Sequence, residues 1–149
     1  WELLKQKEKD GNKTVLSGVP DALPALIKAY RIQDKARNVG FDWEDRTQVW
    51  DKVKEEISEF EVEAKQGNQD DMEKEFGDVM FSLINAARLY KINPENALEK
   101  TNRKFIRFNY LEAHTLKQGR QLTDMSLAEM DEIWNEAKKA ERVEDVGNQ

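Results

Sequence analysis

The segment KVKEEISEFEVEAKQGNQDDMEKEFGDVMFSLINAARLY, residues 52–90, decides the fold. It holds two helical patterns around one turn. In and just before the first half, apolar residues fall at 50, 53, 57, 60 and 64, in steps of three and four that keep to one helix face. GNQDD at 67–71 interrupts the pattern and supplies capping residues for a new start. In the second half, Phe76, Val79, Met80, Phe81, Leu83, Ile84, Ala86, Ala87 and Tyr90 cover most of the circumference at about 100° per residue. Such a helix is expected to be buried nearly all round. One narrow stripe stays polar: Glu75, Asp78, Ser82 and Asn85. Polar groups on a buried helix are costly without partners, so the stripe reads as a site rather than a solvated face.

Working outward, helices are expected over 22–37, 44–65, 71–91, 95–115 and 126–142. Asp21 is the expected cap of the first, with Pro24 in its first turn, and Asp124 or Ser126 that of the last. No stretch alternates as a strand does, so the fold class is all-α. Short connections between the second, third and fourth helices make them antiparallel neighbours in a bundle. Only 7 Gly and 3 Pro among 149 residues suit helices. The charged fraction of 36%, against roughly 25% in an average domain, suits long solvated helix faces.

Several classes are excluded. The absence of cysteine removes disulfides, thiol nucleophiles and thiolate metal sites, and agrees with a reducing, cytoplasmic compartment. His114 is the one histidine, so no site needing two can form, and the Glu-x-x-His pairs of a di-iron bundle are missing. A net charge of −6 argues against a nucleic-acid partner. No apolar run approaches the ~18 residues of a membrane span, so no membrane partner is expected.

The charge is unevenly spread. Residues 55–78 hold ten acids and two bases, while residues 100–120 hold six bases and one acid. Glu56 and Glu59 share a helix face at i, i+3, as do Glu75 and Asp78 on the next helix. Antiparallel packing lets the two pairs converge. Four such carboxylates repel, and a hard divalent cation with oxygen ligands, Mg²⁺ or Mn²⁺, relieves that repulsion. Downstream, Lys104 and Arg107 are also i, i+3, and Trp134 and Lys138 are i, i+4. Cations near a metal suit a polyphosphate, whose oxygens they share. A solvated basic face and core packing of Trp134 fit the same residues.

With these motifs, the chain resembles the C-terminal domain of MazG-type nucleoside triphosphate pyrophosphohydrolases over about 18–140. The anchors are GVPDALPALIKAYRIQDKARNVGFDW (18–43), KVKEEISEF (52–60), EKEFGDVMFSLINAARLY (73–90) and PENALEKTNRKFIRF (94–108). The family hallmark E-E-x-x-E, spacer, E-x-x-D stands here as Glu55-Glu56-x-x-Glu59 and Glu75-x-x-Asp78. The resemblance implies Mg²⁺-dependent hydrolysis of a nucleoside triphosphate to the monophosphate and pyrophosphate, and an all-helical homodimer that completes the bundle. It implies Glu56, Glu59, Glu75 and Asp78 as metal ligands. Lys52, Glu55, Lys104, Arg107, Trp134 and Lys138 are the implied substrate contacts. Glu55 or Glu59 is then the catalytic carboxylate that orients or deprotonates the attacking water. One departure stands out. Where the family has K-F-x-R-R-F, this chain has Lys104-Phe105-Ile106-Arg107-Phe108, one Arg short. In a continuous helix a deletion rotates every later residue by about 100°, so a bulge or a changed role for Arg107 is expected.

Two other readings fit the same residues: a helical dimerisation or nucleotide-binding module without strong catalysis, and a narrow-specificity dUTP or dCTP pyrophosphatase. Base selection would rest on Phe41, Trp43 and Trp134. By domains, 1–17 reads as the tail of a preceding domain plus a linker, 18–142 as the catalytic domain and 143–149 as a frayed tail. WELLKQKE at 1–8 echoes WNEAKKAE at 134–141, as the end of a tandem copy would.

Overall fold

The computed structural model describes residues 14–147, with the backbone alone over 143–147. The expected end of a preceding domain at 1–9, with its echo, lies outside the described residues. Helices run over Ala25–Asn38 (α1), Gln48–Gln66 (α2), Gln69–Leu89 (α3), Pro94–Lys104 (α4), Arg107–Lys117 (α5) and Leu127–Gly147 (α6). Short 3₁₀ turns cover Val15–Gly18 and Leu122–Asp124. The described residues contain no strand, so the fold is all-α. The chain divides into two compact units, residues 1–97 and 98–149.

In the first unit α2 and α3 form the main pair, and α1 packs on α3. The α2–α3 turn explains their antiparallel course. Gly67 takes a left-handed φ of 76°, which glycine adopts without strain, and its N–H closes on the Glu63 carbonyl. Asn68 then caps α3, its side chain accepting the Asp71 N–H at 3.2 Å. The pair buries Val49, Val53, Ile84 and Ala86, and Phe60 meets Phe76 edge-on with ring centroids 5.4 Å apart. In the second unit α5 packs on α6, around Leu111, Met125 and Ile133. Ser126 caps α6: its Oγ accepts the Glu129 N–H at 3.2 Å and its hydroxyl donates to the Glu129 carboxylate at 3.3 Å.

The structure corrects several expectations. α3 is not buried all round: Phe76, Met80, Phe81 and Leu83 are each 43–51% exposed. Its buried positions include Ser82, Ile84, Ala86 and Arg88. α1 and α2 cover the side that carries the polar stripe, and the stripe Phe76, Met80, Leu83 faces outward in the single chain. On α2 the buried positions are Val49, Val53 and Glu56, whereas Trp50 and Ile57 of the expected stripe are exposed. Asp21 does not cap α1, which begins at Pro24 as N-cap; its carbonyl instead accepts Lys28 Nζ at 2.6 Å. The expected helix 95–115 is two helices. It breaks at Phe105-Ile106, where the Phe105 N–H bonds the carbonyls of Thr101 and Asn102 and the Ile106 N–H bonds that of Arg103. The break falls where the sequence is one Arg short. α6, expected to end at 142, runs on to Gly147.

Asn68→Ala should lower unfolding free energy by about 1 kcal/mol, the usual loss on removing such a cap. Urea melts of the two proteins check this, with an unchanged m-value expected.

Candidate functional site

The first unit gathers carboxylates between α2 and α3. One oxygen each from Glu56, Glu75 and Asp78 lies within 4.8 Å of the others. Glu75 and Asp78 share a face because they are one helical turn apart, and Glu56 meets them across the helix pair. Glu56 is 7% exposed. Its Oε1 accepts Lys52 Nζ at 2.9 Å. Its other oxygen, and Oε2 of Glu75, are buried without a hydrogen-bond partner. Such acceptors are expensive to desolvate unpaired, and like charges at this spacing repel. A divalent cation with oxygen ligands answers both problems, so the residues present fit a metal ion.

Glu59 stands outside the group of three but within its field. The Glu56 charge, then desolvation, then the Glu75 charge raise its carboxyl pKa above the ordinary glutamate value. Glu55 is exposed and lies 3.5 Å from Lys52 Nζ. Lys52 therefore serves two carboxylates, and its bond to Glu56 is the main cause of its raised pKa.

Glu56 and Asp78 also line a cavity of about 630 Å³, together with Lys52, Ser82, Asn85 and the apolar groups of Ile32, Ala36, Phe41, Trp43 and Phe81. Of the polar stripe read from the sequence, Ser82 and Asn85 turn inward, while Asp78 borders the cavity and stays exposed. Sequence reasoning missed three members of this wall: Gln33, Asp42 and Arg88. Arg88 has a side chain only 5% exposed. It donates to Asp42 Oδ1 at 2.6 Å and to Asn85 Oδ1 at 2.7 Å. One more step of three along the stripe, from Asn85, would have reached it. The Arg88 guanidinium holds the Asp42 carboxyl below its ordinary pKa. Gln33 gives no local signal, because it lies on a helix apart from the carboxylate motif.

The second unit collects cations. Lys104, Arg107 and Lys138 line a cavity of about 380 Å³ with Glu141 and Arg142, the last two absent from the sequence-derived set. Arg107 Nε donates to Glu141 Oε2 at 2.7 Å, and its guanidinium stands 6.0 Å from the Trp134 ring centroid. Trp134 packs against Phe105, with centroids 5.1 Å apart. The break between α4 and α5 therefore leaves Lys104 and Arg107 in one cavity.

Residues 45–109 match the MazG nucleotide pyrophosphohydrolase domain. This segment is a MazG domain. The matched segment holds all four acidic residues of the hallmark's metal set as well as Lys104 and Arg107. Relatives extend the similarity beyond it. The nucleoside triphosphate pyrophosphohydrolase/pyrophosphatase MazG of Thermotoga maritima is 41% identical over 140 residues, 93% of this chain and 54% of that protein. The nucleoside triphosphate pyrophosphohydrolase of Escherichia coli K12 is 39% identical over 146 residues, 95% of this chain and 56% of that protein. YabN of Bacillus subtilis, whose name records it as uncharacterized, is 49% identical over 145 residues, 95% of this chain but 30% of that protein. The chain spans about half the length of the first two. Among the described residues of this MazG chain, no helix is long and apolar enough to cross a membrane.

Asp42→Asn should destabilise the MazG domain by about 3 kcal/mol at pH 7, because it leaves the buried Arg88 charge without its carboxylate. The Asp42 pKa is depressed, so the stabilisation is full above the ordinary aspartate range and is lost as pH falls through the lower folded value. The gap between wild type and variant in thermal melts should therefore narrow in acid. An equal gap at pH 7 and pH 3 would contradict this account.

Proposed function

We propose that the chain hydrolyses a nucleoside triphosphate to the monophosphate and pyrophosphate, using a divalent cation held by Glu56, Glu75 and Asp78 with Glu59 completing the set. The observation that carries this reading is the pair of buried, unpartnered oxygens on Glu56 and Glu75 inside the segment that matches the MazG domain. The names of the Thermotoga and Escherichia relatives support the reaction. Mg²⁺, with Mn²⁺ as a substitute, suits an all-oxygen ligand set. Bound there, it supplies charge neutralisation and Lewis acidity toward phosphate oxygens.

The remaining chemistry is assigned to the chain's own groups. Water attacks the α- or β-phosphorus and the bridging P–O bond between them breaks; attack at α sends pyrophosphate away with the bond's electrons, and attack at β sends the nucleoside monophosphate away with them. The proton of the attacking water passes to a carboxylate. That carboxylate is Glu55 or Glu59, both on the α2 face beside the proposed ligands. Lys52 holds Glu55 and Glu56 in place and is close enough to the cavity to meet substrate. In the second unit, the cations Lys104, Arg107 and Lys138 are proposed to bind phosphate oxygens. Trp134 supports Arg107 and is the aromatic contact of that group. A cytoplasmic location suits a consumer of nucleotides.

The Mg²⁺-dependent turnover of nucleoside triphosphates tests the reaction, with product identified as pyrophosphate rather than orthophosphate. Glu75→Gln and Asp78→Ala should each reduce it by about 100-fold and weaken Mn²⁺ binding in calorimetry. Metal-dependent activity retained in both Glu59→Ala and Asp78→Ala would overturn the ligand assignment. If the wild type binds neither metal nor a nonhydrolysable analogue, the domain is an interaction module instead.

We also propose a homodimer. The outward stripe of Phe76, Met80 and Leu83 on α3, with Trp50 and Ile57 on α2, is exposed in the single chain. Contiguous apolar surface of this kind marks an interface. Sedimentation velocity should give the mass of two chains, and Met80→Glu with Leu83→Glu should shift it to one.

A further inference from the structure

Residues 39–47 join α1 to α2 without helix or strand, and part of the cavity wall is built from them. Phe41 and Trp43 line it. Both rings are accessible, Phe41 at 82% and Trp43 at 39% exposure. A ring as exposed as Phe41 gains little from burial, so packing does not fix its place. The residue between the two rings does.

Asp42 reaches across to α3. Its two oxygens accept two N–H groups of the buried Arg88, at 2.6 and 3.3 Å, a bidentate geometry that fixes direction as well as distance. Oδ1 also accepts the Trp43 N–H at 2.9 Å. From the same guanidinium, Nη2 and Nε donate to Asn85 Oδ1 at 2.7 and 3.2 Å. Asp42 and Asn85 both line the cavity, so one buried cation ties a loop residue and a helix residue of the same wall. Further along, Arg46 stands 4.7 Å from the Tyr90 ring centroid, which holds the α2 end of the loop but not the rings. An apolar pair of similar volume would join loop and helix at lower desolvation cost. What it would not supply is direction.

We propose that Arg88 is a positioning residue for substrate binding: through Asp42 it holds Phe41 and Trp43 at the cavity wall, where they receive the flat end of the nucleotide. This rests on the nucleotide reading above. The wall itself points to the occupant. Aromatic faces suit a planar heterocycle, and Glu56 and Asp78 of the proposed metal set line the same cavity. Its volume of about 630 Å³ is that of a small-molecule site. A loop free to sample many conformations gives them up on binding, and a loop already clamped avoids that cost. Neither Asp42 nor Arg88 needs to touch the substrate for this.

A double-mutant cycle in KM tests the clamp, with Asp42→Asn as one change and the joint removal of both rings, Phe41→Ala with Trp43→Ala, as the other. Asp42→Asn alone should raise KM for a nucleoside triphosphate about tenfold, the scale of one stacked base, with kcat kept within about twofold. With both rings absent, the same change should raise KM no further. Inorganic tripolyphosphate has no base, so its Mn²⁺-dependent affinity in calorimetry should be equal in wild type and Asp42→Asn. Thermal melts set an assay temperature at which each protein is folded. Asp42→Glu keeps the charge pair and displaces the loop by one methylene, so it should raise KM in the same way if Asp42→Asn does not fold. A wild-type KM in a folded Asp42 variant overturns the clamp. So does a rise that persists in full without the rings, or a tripolyphosphate affinity that falls in step. If wild type turns over no nucleoside triphosphate, the hydrolase reading fails separately. The cycle then runs on the Kd of a nonhydrolysable analogue, and no binding of that analogue by wild type overturns the clamp as well.

Discussion

Three carboxylate oxygens brought within 4.8 Å of one another are the constraint around which the first unit is organised. In an isolated helix pair that arrangement is unfavourable, because the buried Glu56 and half-buried Glu75 lose hydration and all three charges meet their own sign. The chain offsets it only in part. Lys52 neutralises one oxygen of Glu56, and the pKa of Glu59 rises in response to what remains. The fold thus stores an electrostatic deficit that a divalent cation would discharge. Stability and function are coupled at this point: the like-charged contact across the α2–α3 pair is also the one proposed to do chemistry.

The same constraint explains how α3 is oriented. A helix with a polar stripe and an apolar stripe would ordinarily turn the apolar one inward. Here Glu75 and Asp78 face the carboxylate partner and Ser82, Asn85 and Arg88 face the cavity, which leaves Phe76, Met80 and Leu83 outward. The Asp42–Arg88–Asn85 network makes the inward polar face tolerable by satisfying its charge. An outward apolar stripe is then a consequence of building the site inside the chain.

The motifs differ in how much could be read from the sequence. The i, i+3 carboxylate pairs were legible because helical periodicity alone places Glu75 beside Asp78. The turn at Gly67-Asn68 was legible because glycine and a capping residue have a local mechanism. The break between α4 and α5 was foreshadowed by the missing Arg, since a deletion must be absorbed somewhere. Arg88 was overlooked because it sits among apolar neighbours and reads as a helix-end charge. Gln33 had no local signal at all: its amide matters only because α1 packs it against the Phe81 carbonyl.

By itself the sequence determined the all-α class, most helix positions to within a few residues though not the break inside 95–115, and the acidic pairs, because each of these follows from backbone periodicity and local hydrogen bonding. Tertiary structure decided which face of each helix is inside. It brought Glu56, Glu75 and Asp78 together across two helices, grouped Lys104, Arg107 and Lys138 with Arg142, and gave Gln33 a fixed orientation. The physical reason is that burial and charge interaction depend on distances between segments far apart in the chain. No spacing within a single helix encodes those distances.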